Sequence, residues 1–177
     1  MAVDHVKSTP ITNMDAGSLL VPTAGEGGPA SLKWNTGIAT GVAASSIDAT
    51  YQMVRVPSNA KIKFLTFQTQ TQAAGVTDVG VYYATDGIGG QPTSLLVAAA
   101  ISRQFFASAI SLTTTTVQDI TCNPIGSGYT PDKRNQPLWQ ALGLASDPGG
   151  NFDIVLSLST AITTGGGIMV MDVDYTD

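Results

Sequence analysis

Residues 151–160, NFDIVLSLST, alternate without a break. Phe152, Ile154, Leu156 and Leu158 fall on one face, and Asp153, Val155, Ser157 and Ser159 on the other. A period of two places successive side chains on opposite sides of an extended strand, so the apolar face needs a second layer to cover it. The same grammar recurs. YQMVRVP ends at Pro57, SNA supplies turn residues, and KIKFLTFQTQ follows, apolar on both faces near its middle as a central strand would be; the two runs read as a hairpin-like pair. VTDVGVYYATDG sets Val79, Val81 and Tyr83 against Asp78, Gly80 and Tyr82 and closes on the turn signal Asp86-Gly87. VQDITCNP reads as a strand stopped at Asn123-Pro124, and IMVMDVDYTD, after the TTGGG hinge, as an antiparallel partner of residues 151–160.

Composition agrees with many short strands joined by tight turns. Twelve of the thirteen acidic residues are Asp, which favours turns and caps, and the chain carries 19 Gly and 9 Pro. Two segments break the pattern. SRQFFASAI, in an Ala-rich stretch, is predicted to form a short helix docking Phe105, Phe106 and Ile110. QPLWQALGL is predicted to form another, with Pro137 in its first turn and Gly143 ending it. The expected fold is all-β: an antiparallel, jelly-roll-like β-sandwich with one or two short helices. Its domain spans 36–177, behind an extended N-terminal arm at 1–35. The arm is rich in Pro and Gly, without a sustained period, and would span about 110 Å if stretched at about 3.3 Å per residue. Its apolar residues Ile11, Met14, Leu19, Leu20 and Val21 are unusual in a solvated tail and are the candidate partner-binding residues.

The side chains of catalysis are scarce: one His, one Cys and one Glu in 177 residues. His5 lies in the arm and Cys122 has no second cysteine, so neither a Ser–His–Asp constellation nor a paired-cysteine metal site is expected. Asp172, Asp174 and Asp177 lie close in sequence and could, with Asp153, hold Ca²⁺, but alternate Asp residues on a last strand read first as its solvated face. No catalytic residue, metal or cofactor is expected, and the chain is not expected to be an enzyme. The net charge is −5. Residues 1–90 hold five basic and six acidic groups, and 91–177 hold three and seven. With no basic run longer than Lys133-Arg134, nothing matches a phosphate backbone, and no apolar run approaches a membrane span; neither nucleic acid nor membrane is expected as a partner. The N-terminal MAVDHVKSTPITNMDAG lacks the basic start and apolar core of a signal peptide, which suggests cytoplasmic synthesis.

Taken together, AVDHVKSTPITNMDA, ATYQMVRVPSNAKIK, DVGVYYATDG, FFASA and the region from LWQALGLASDPGGNFDIVLSLSTA to TTGGGIMVMDVDY resemble a family of small virion proteins of tailed bacteriophages, encoded beside the major capsid protein. The similarity spans almost the whole chain. It implies a structural head component: a decoration or cement protein on the capsid surface that binds the major capsid protein lattice and stabilises the head. Self-association, with a trimer as the usual arrangement, comes with that resemblance. Two other functions fit the residues. One is a head-to-tail connector or tail component. The other is a carbohydrate-binding attachment module using Trp34, Trp139, Tyr82, Tyr83 or Tyr129 as a platform.

Overall fold

A computed structural model of the chain describes residues 5–7, 11–12, 32–84, 100–123 and 128–177. Among the described residues, nine strands run β1 (His5–Lys7), β2 (Lys33–Thr40), β3 (Thr50–Pro57), β4 (Lys61–Thr69), β5 (Val76–Tyr83), β6 (Ala100–Ser111), β7 (Thr116–Asp119), β8 (Asn151–Thr160) and β9 (Ile168–Thr176). They form two sheets, ordered β1-β3-β8-β5-β6 and β2-β9-β4-β7. The pairing is nested: β2 with β9, β3 with β8, β4 with β7 and β5 with β6. The first half of the sandwich therefore folds back on the second as one long hairpin, and the hairpin rolls into two layers, which is the jelly roll. β1 is an addition to that plan, pairing parallel to β3.

The inward faces meet in one core built from Tyr51, Val54, Leu65, Phe67, Val79, Phe152, Ile154, Leu156, Met171 and Val173 among others, all fully buried. The alternation of β8 is realised as written: Phe152, Ile154, Leu156 and Leu158 point into the core. In β4 a register shift between Ile62 and Phe64 turns both Ile62 and Leu65 inward and leaves Phe64 outside. A bulge has this effect because one extra residue flips the side-chain alternation. β2 crosses close over β3: a Cβ on Gly37 would collide with the backbone carbonyl of Met53, so only glycine fits there.

Three expectations are corrected. Residues 102–110 are strand, not helix. Their apolar spacing looks helical because β6 slips register against β5 three times and Ala109 adopts a positive φ of 56°, which brings Phe105, Phe106 and Ile110 all to the interior. The Asp78 carboxylate fastens this irregularity, accepting hydrogen bonds from Arg103 Nε at 3.2 Å, Gln104 Nε2 at 3.3 Å and the Ala109 amide at 3.0 Å. Alanine's helix preference is weak beside the pairing of a twelve-residue strand. β3 and β4 are not a hairpin, and β9 is not the partner of β8: each consecutive pair is split between the two sheets, because nested pairing sets the neighbours. The second expected helix is present as one turn, Leu138–Ala141, entered from Pro137 and left at Gly143 with a φ of 80°. The strand expected in VTDVGVYY is present at 76–83. The one expected in VQDITCNP ends early, at Asp119 and not at Asn123-Pro124, because Thr121 turns back to bond the Asp119 carboxylate; the turn at Asp86-Gly87 lies outside the described residues.

β1 and Ile11 belong to the first 35 residues, and β2 runs across the 35/36 boundary. Ile11 is fully buried.

The outer side of the five-stranded sheet is closed over its three middle strands. On its outer side, Gln52 and Arg55 of β3, Asp153, Val155 and Ser157 of β8, and Asp78 and Tyr82 of β5 are all buried. Asp153, with no exposed surface, accepts Arg55 Nε at 2.7 Å, Arg55 Nη2 at 3.0 Å and Gln52 Nε2 at 2.8 Å. Beside it, the Tyr82 and Ser157 hydroxyls lie 2.7 Å apart. A carboxylate so far from water is held by its bidentate partner. Arg55→Met should therefore lower the unfolding free energy by about 3–5 kcal/mol, and adding Asp153→Leu should recover most of that loss. Urea denaturation reads both; a double variant no more stable than the single one would contradict this role for the pair.

Candidate interaction face

The four-stranded sheet differs: its outer side is open. Register places its outward residues in rows. Trp34, Asp174 and Phe64 form the first row; Thr36, Asp172, Thr66 and Asp119 the second; Ile38, Val170, Gln68 and Val117 the third; Thr40 and Ile168 begin a fourth. Trp34 is 70% exposed, Val117 69%, Phe64 50%, Ile38 49% and Ile168 39%. These are five of the eight large apolar side chains exposed among the described residues, so they are concentrated on one face.

The middle row is polar, and both of its carboxylates are paired within the chain. Asp172 accepts from Thr36 Oγ1 at 2.6 Å and Gln68 Nε2 at 3.3 Å. Asp119 accepts from the hydroxyl and the amide of Thr121 at 2.5 and 2.9 Å, and those two bonds hold its carboxyl below the usual Asp value. At one end Lys33 pairs with Asp177 at 2.6 Å, and that hydrogen bond raises the lysine above its ordinary value. At the corner Arg134 lies 5.0 Å from the Phe64 ring centroid and donates to the Lys63 carbonyl. Lys63 in turn donates to Asn135 Oδ1 at 2.9 Å. At the other end Gln68, Gln70, Thr115, Val117, Ile168 and Val170 surround a shallow hollow of about 160 Å³.

Of the arm residues, Ile11 is fully buried within the chain; Met14, Leu19, Leu20 and Val21 lie outside the described residues. The possible carbohydrate-platform residues do not converge. Trp34 alone is prominent on the surface, Tyr82 and Tyr129 are buried, and Tyr83 and Trp139 pack against the core. Tyr129 packs against Phe106 with tilted rings 5.2 Å apart and donates to the Ile62 carbonyl, and burial pushes its phenol far upward. The possible cation ligands are also divided: Asp172 and Asp174 face outward from one sheet, while Asp153 is sealed in the other. No group of three or more His, Cys, Asp or Glu that could hold a metal occurs among the described residues. Cys122 is half-buried, and burial raises its thiol, which disfavours the reactive thiolate. No helix among the described residues is long and apolar enough to cross a membrane.

The open face was not read from the sequence. Its signal is faint: TVQD and KWNTGIAT alternate, but what distinguishes Trp34, Ile38 and Val117 from core residues is which sheet they join and which way that sheet faces.

The sequence matches no described protein family, and no curated protein is significantly similar to it. The fold does have a solved counterpart. A chain in the capsid of Ralstonia phage GP4 superposes with a TM-score of 0.64 over 97% of this chain and 97% of its own length, at 12% identity. A chain of the cyanophage Pam1 capsid asymmetric unit aligns over 89% and 93% with a TM-score of 0.41, also at 12% identity. The first likeness shows a shared fold.

The tryptophans offer a direct check of this geometry. With Trp139→Phe, the remaining Trp34 should emit at long wavelength and be strongly quenched by acrylamide; with Trp34→Phe, the remaining Trp139 should emit further to the blue and be quenched less. Equal quenching of the two would contradict an open face at Trp34. The Asp119 shift carries a sign as well. Its folded value is depressed from 3.8, so its contribution to stability is present above that value and lost as pH falls through the lower folded one. Asp119→Asn should therefore soften acid unfolding below about pH 4, measured as the difference in melting temperature between pH 7 and pH 3.

Proposed function

We propose that this protein is a structural component of a tailed-phage virion: a decoration or cement protein that binds the major capsid protein lattice and stabilises the head. The observation that carries this reading is the end-to-end match with a chain of a phage capsid. At 97% coverage in both directions and a TM-score of 0.64, that chain shares this fold over almost its whole length, and it belongs to a phage capsid.

The geometry supports the same reading. An open sheet face with five exposed apolar side chains is suited to lie against another protein surface. Three strands of about eight residues and one of four, about 4.8 Å apart at about 3.3 Å per residue, give it an area on the order of 450 Å². A stable pairwise complex buries about 800 Å² on each partner, so one such contact is weak by itself. Repetition over a lattice suits weak contacts, because simultaneous engagement multiplies them. Met14, Leu19, Leu20 and Val21 add apolar contacts from the arm in this proposal. Truncation through residue 35 would also remove β1, Ile11 and the first residues of β2, so point substitutions test the arm more cleanly.

Gold-labelled antibody against the protein should decorate heads over their whole surface, and label at a single vertex would move it to a connector or tail role. Leu19→Ser, Leu20→Ser and Val21→Ser together should leave the melting temperature unchanged while reducing cosedimentation with capsids about tenfold. Undiminished cosedimentation would remove the arm from the mechanism.

A further inference from the structure

The open face also specifies the chemistry of what it meets. Of the carboxylates in its rows, Asp119 and Asp172 are engaged within the chain. Asp174 has no hydrogen-bond or ion-pair partner among the described residues, and it stands between two exposed aromatic rings, Trp34 and Phe64, in register across three adjacent strands. A carboxylate flanked by aromatic faces is matched by a guanidinium or ammonium group, which the charge attracts and the ring quadrupoles also favour. The side chains of this same molecule already show the preference: Arg134 sits over the other end of the row, against Phe64. Four residues further along the strands, about 13 Å away at 3.3 Å per residue, lies the hollow between Val117 and Ile168. Its volume of about 160 Å³ accepts one apolar side chain, since a cavity of about 150 Å³ holds a benzene ring.

We infer that the outer face of the β2-β9-β4-β7 sheet is the docking surface, and that it takes a cationic protein surface. On that surface an Arg or Lys sits on Asp174 between Trp34 and Phe64, and an apolar side chain about 13 Å away fills the hollow beside Val117. The inference rests on the capsid reading, which supplies the partner as a capsid subunit. Charge complementarity selects this occupant over a second copy of the chain. The chain is acidic overall at −5, and the rows of the face carry Asp119, Asp172 and Asp174 and no basic residue, with Lys63 and Arg134 standing at its corner. The other exposed surface is less suited: the five-stranded sheet presents no open face, its outward side chains on β3, β8 and β5 being buried.

The test uses the full chain and capsids assembled in its absence by the virus that encodes it, with binding measured by cosedimentation across a salt series. Asp174→Asn should weaken binding about tenfold and flatten its salt dependence, and Asp174→Lys should weaken it further. Trp34→Ala and Val117→Asp should each cost tenfold or more, while Ile47→Ser, exposed in the turn between β2 and β3, should change nothing. All five variants alter exposed or half-exposed side chains, so unchanged melting temperatures separate lost binding from lost folding. If the unaltered protein binds and the face variants bind equally well, this surface is not the docking site. If Trp34→Ala alone fails and soluble oligosaccharide competes, the face is a glycan platform and the cationic partner is wrong. If the unaltered protein binds no capsid, the capsid reading itself falls, and this inference with it.

Discussion

The Asp153 carboxylate, fully out of water on the central strand of its sheet and gripped by Arg55 and Gln52, decides which side of this molecule can face a partner. An ionised group so placed is tolerable only when its partners are fixed, so the outer side of that sheet is committed to the protein's own structure. The Tyr82–Ser157 and Asp78–Arg103 contacts continue the same polar layer across β5 and β6. What remains open is the outer face of the opposite sheet, where threonines, three carboxylates and five large apolar side chains point to solvent.

That asymmetry follows from nested pairing. Rolling one long hairpin places β8 and β9, neighbours in sequence, at the interior of different sheets. Both carry the same alternation of apolar with acidic or hydroxyl residues, yet Asp153 and Ser157 end buried while Asp172 and Asp174 end at the surface. Function in the proposed reading comes from that difference in surroundings and not from any difference in the local pattern. A protein of this kind needs no cleft. It needs one surface that stays unoccupied by its own chain, and a second layer to support it.

The sequence made the strands legible because period-two alternation and Pro, Gly and Asp punctuation are local properties; β4, β5, β7 and β8 sit close to where those signals put them. Their partners were not legible, because Cα pairing between Lys33 and Tyr175 or Thr50 and Ser157 spans more than a hundred residues and leaves no local trace. Phe105, Phe106 and Ile110 imitated a helix because bulges alter the side-chain alternation, and bulges depend on the neighbouring strand. The scarcity of catalytic side chains was plain from the residue counts. The interaction face was not: Trp34 stood out only as one tryptophan of two, and Ile38, Phe64 and Val117 look in sequence like any core residue. Exposure is a property of the assembled sheets.

The most direct measurement is a cryo-EM reconstruction of the virion at a resolution that traces β-strands, asking which surface of this protein meets its neighbours. The account expects copies repeated over the capsid lattice, with the outer face of β2, β9, β4 and β7 against capsid subunits and a basic side chain beside Asp174. Copies whose β2-β9-β4-β7 face points to open solvent, while other surfaces carry the contacts, would contradict it.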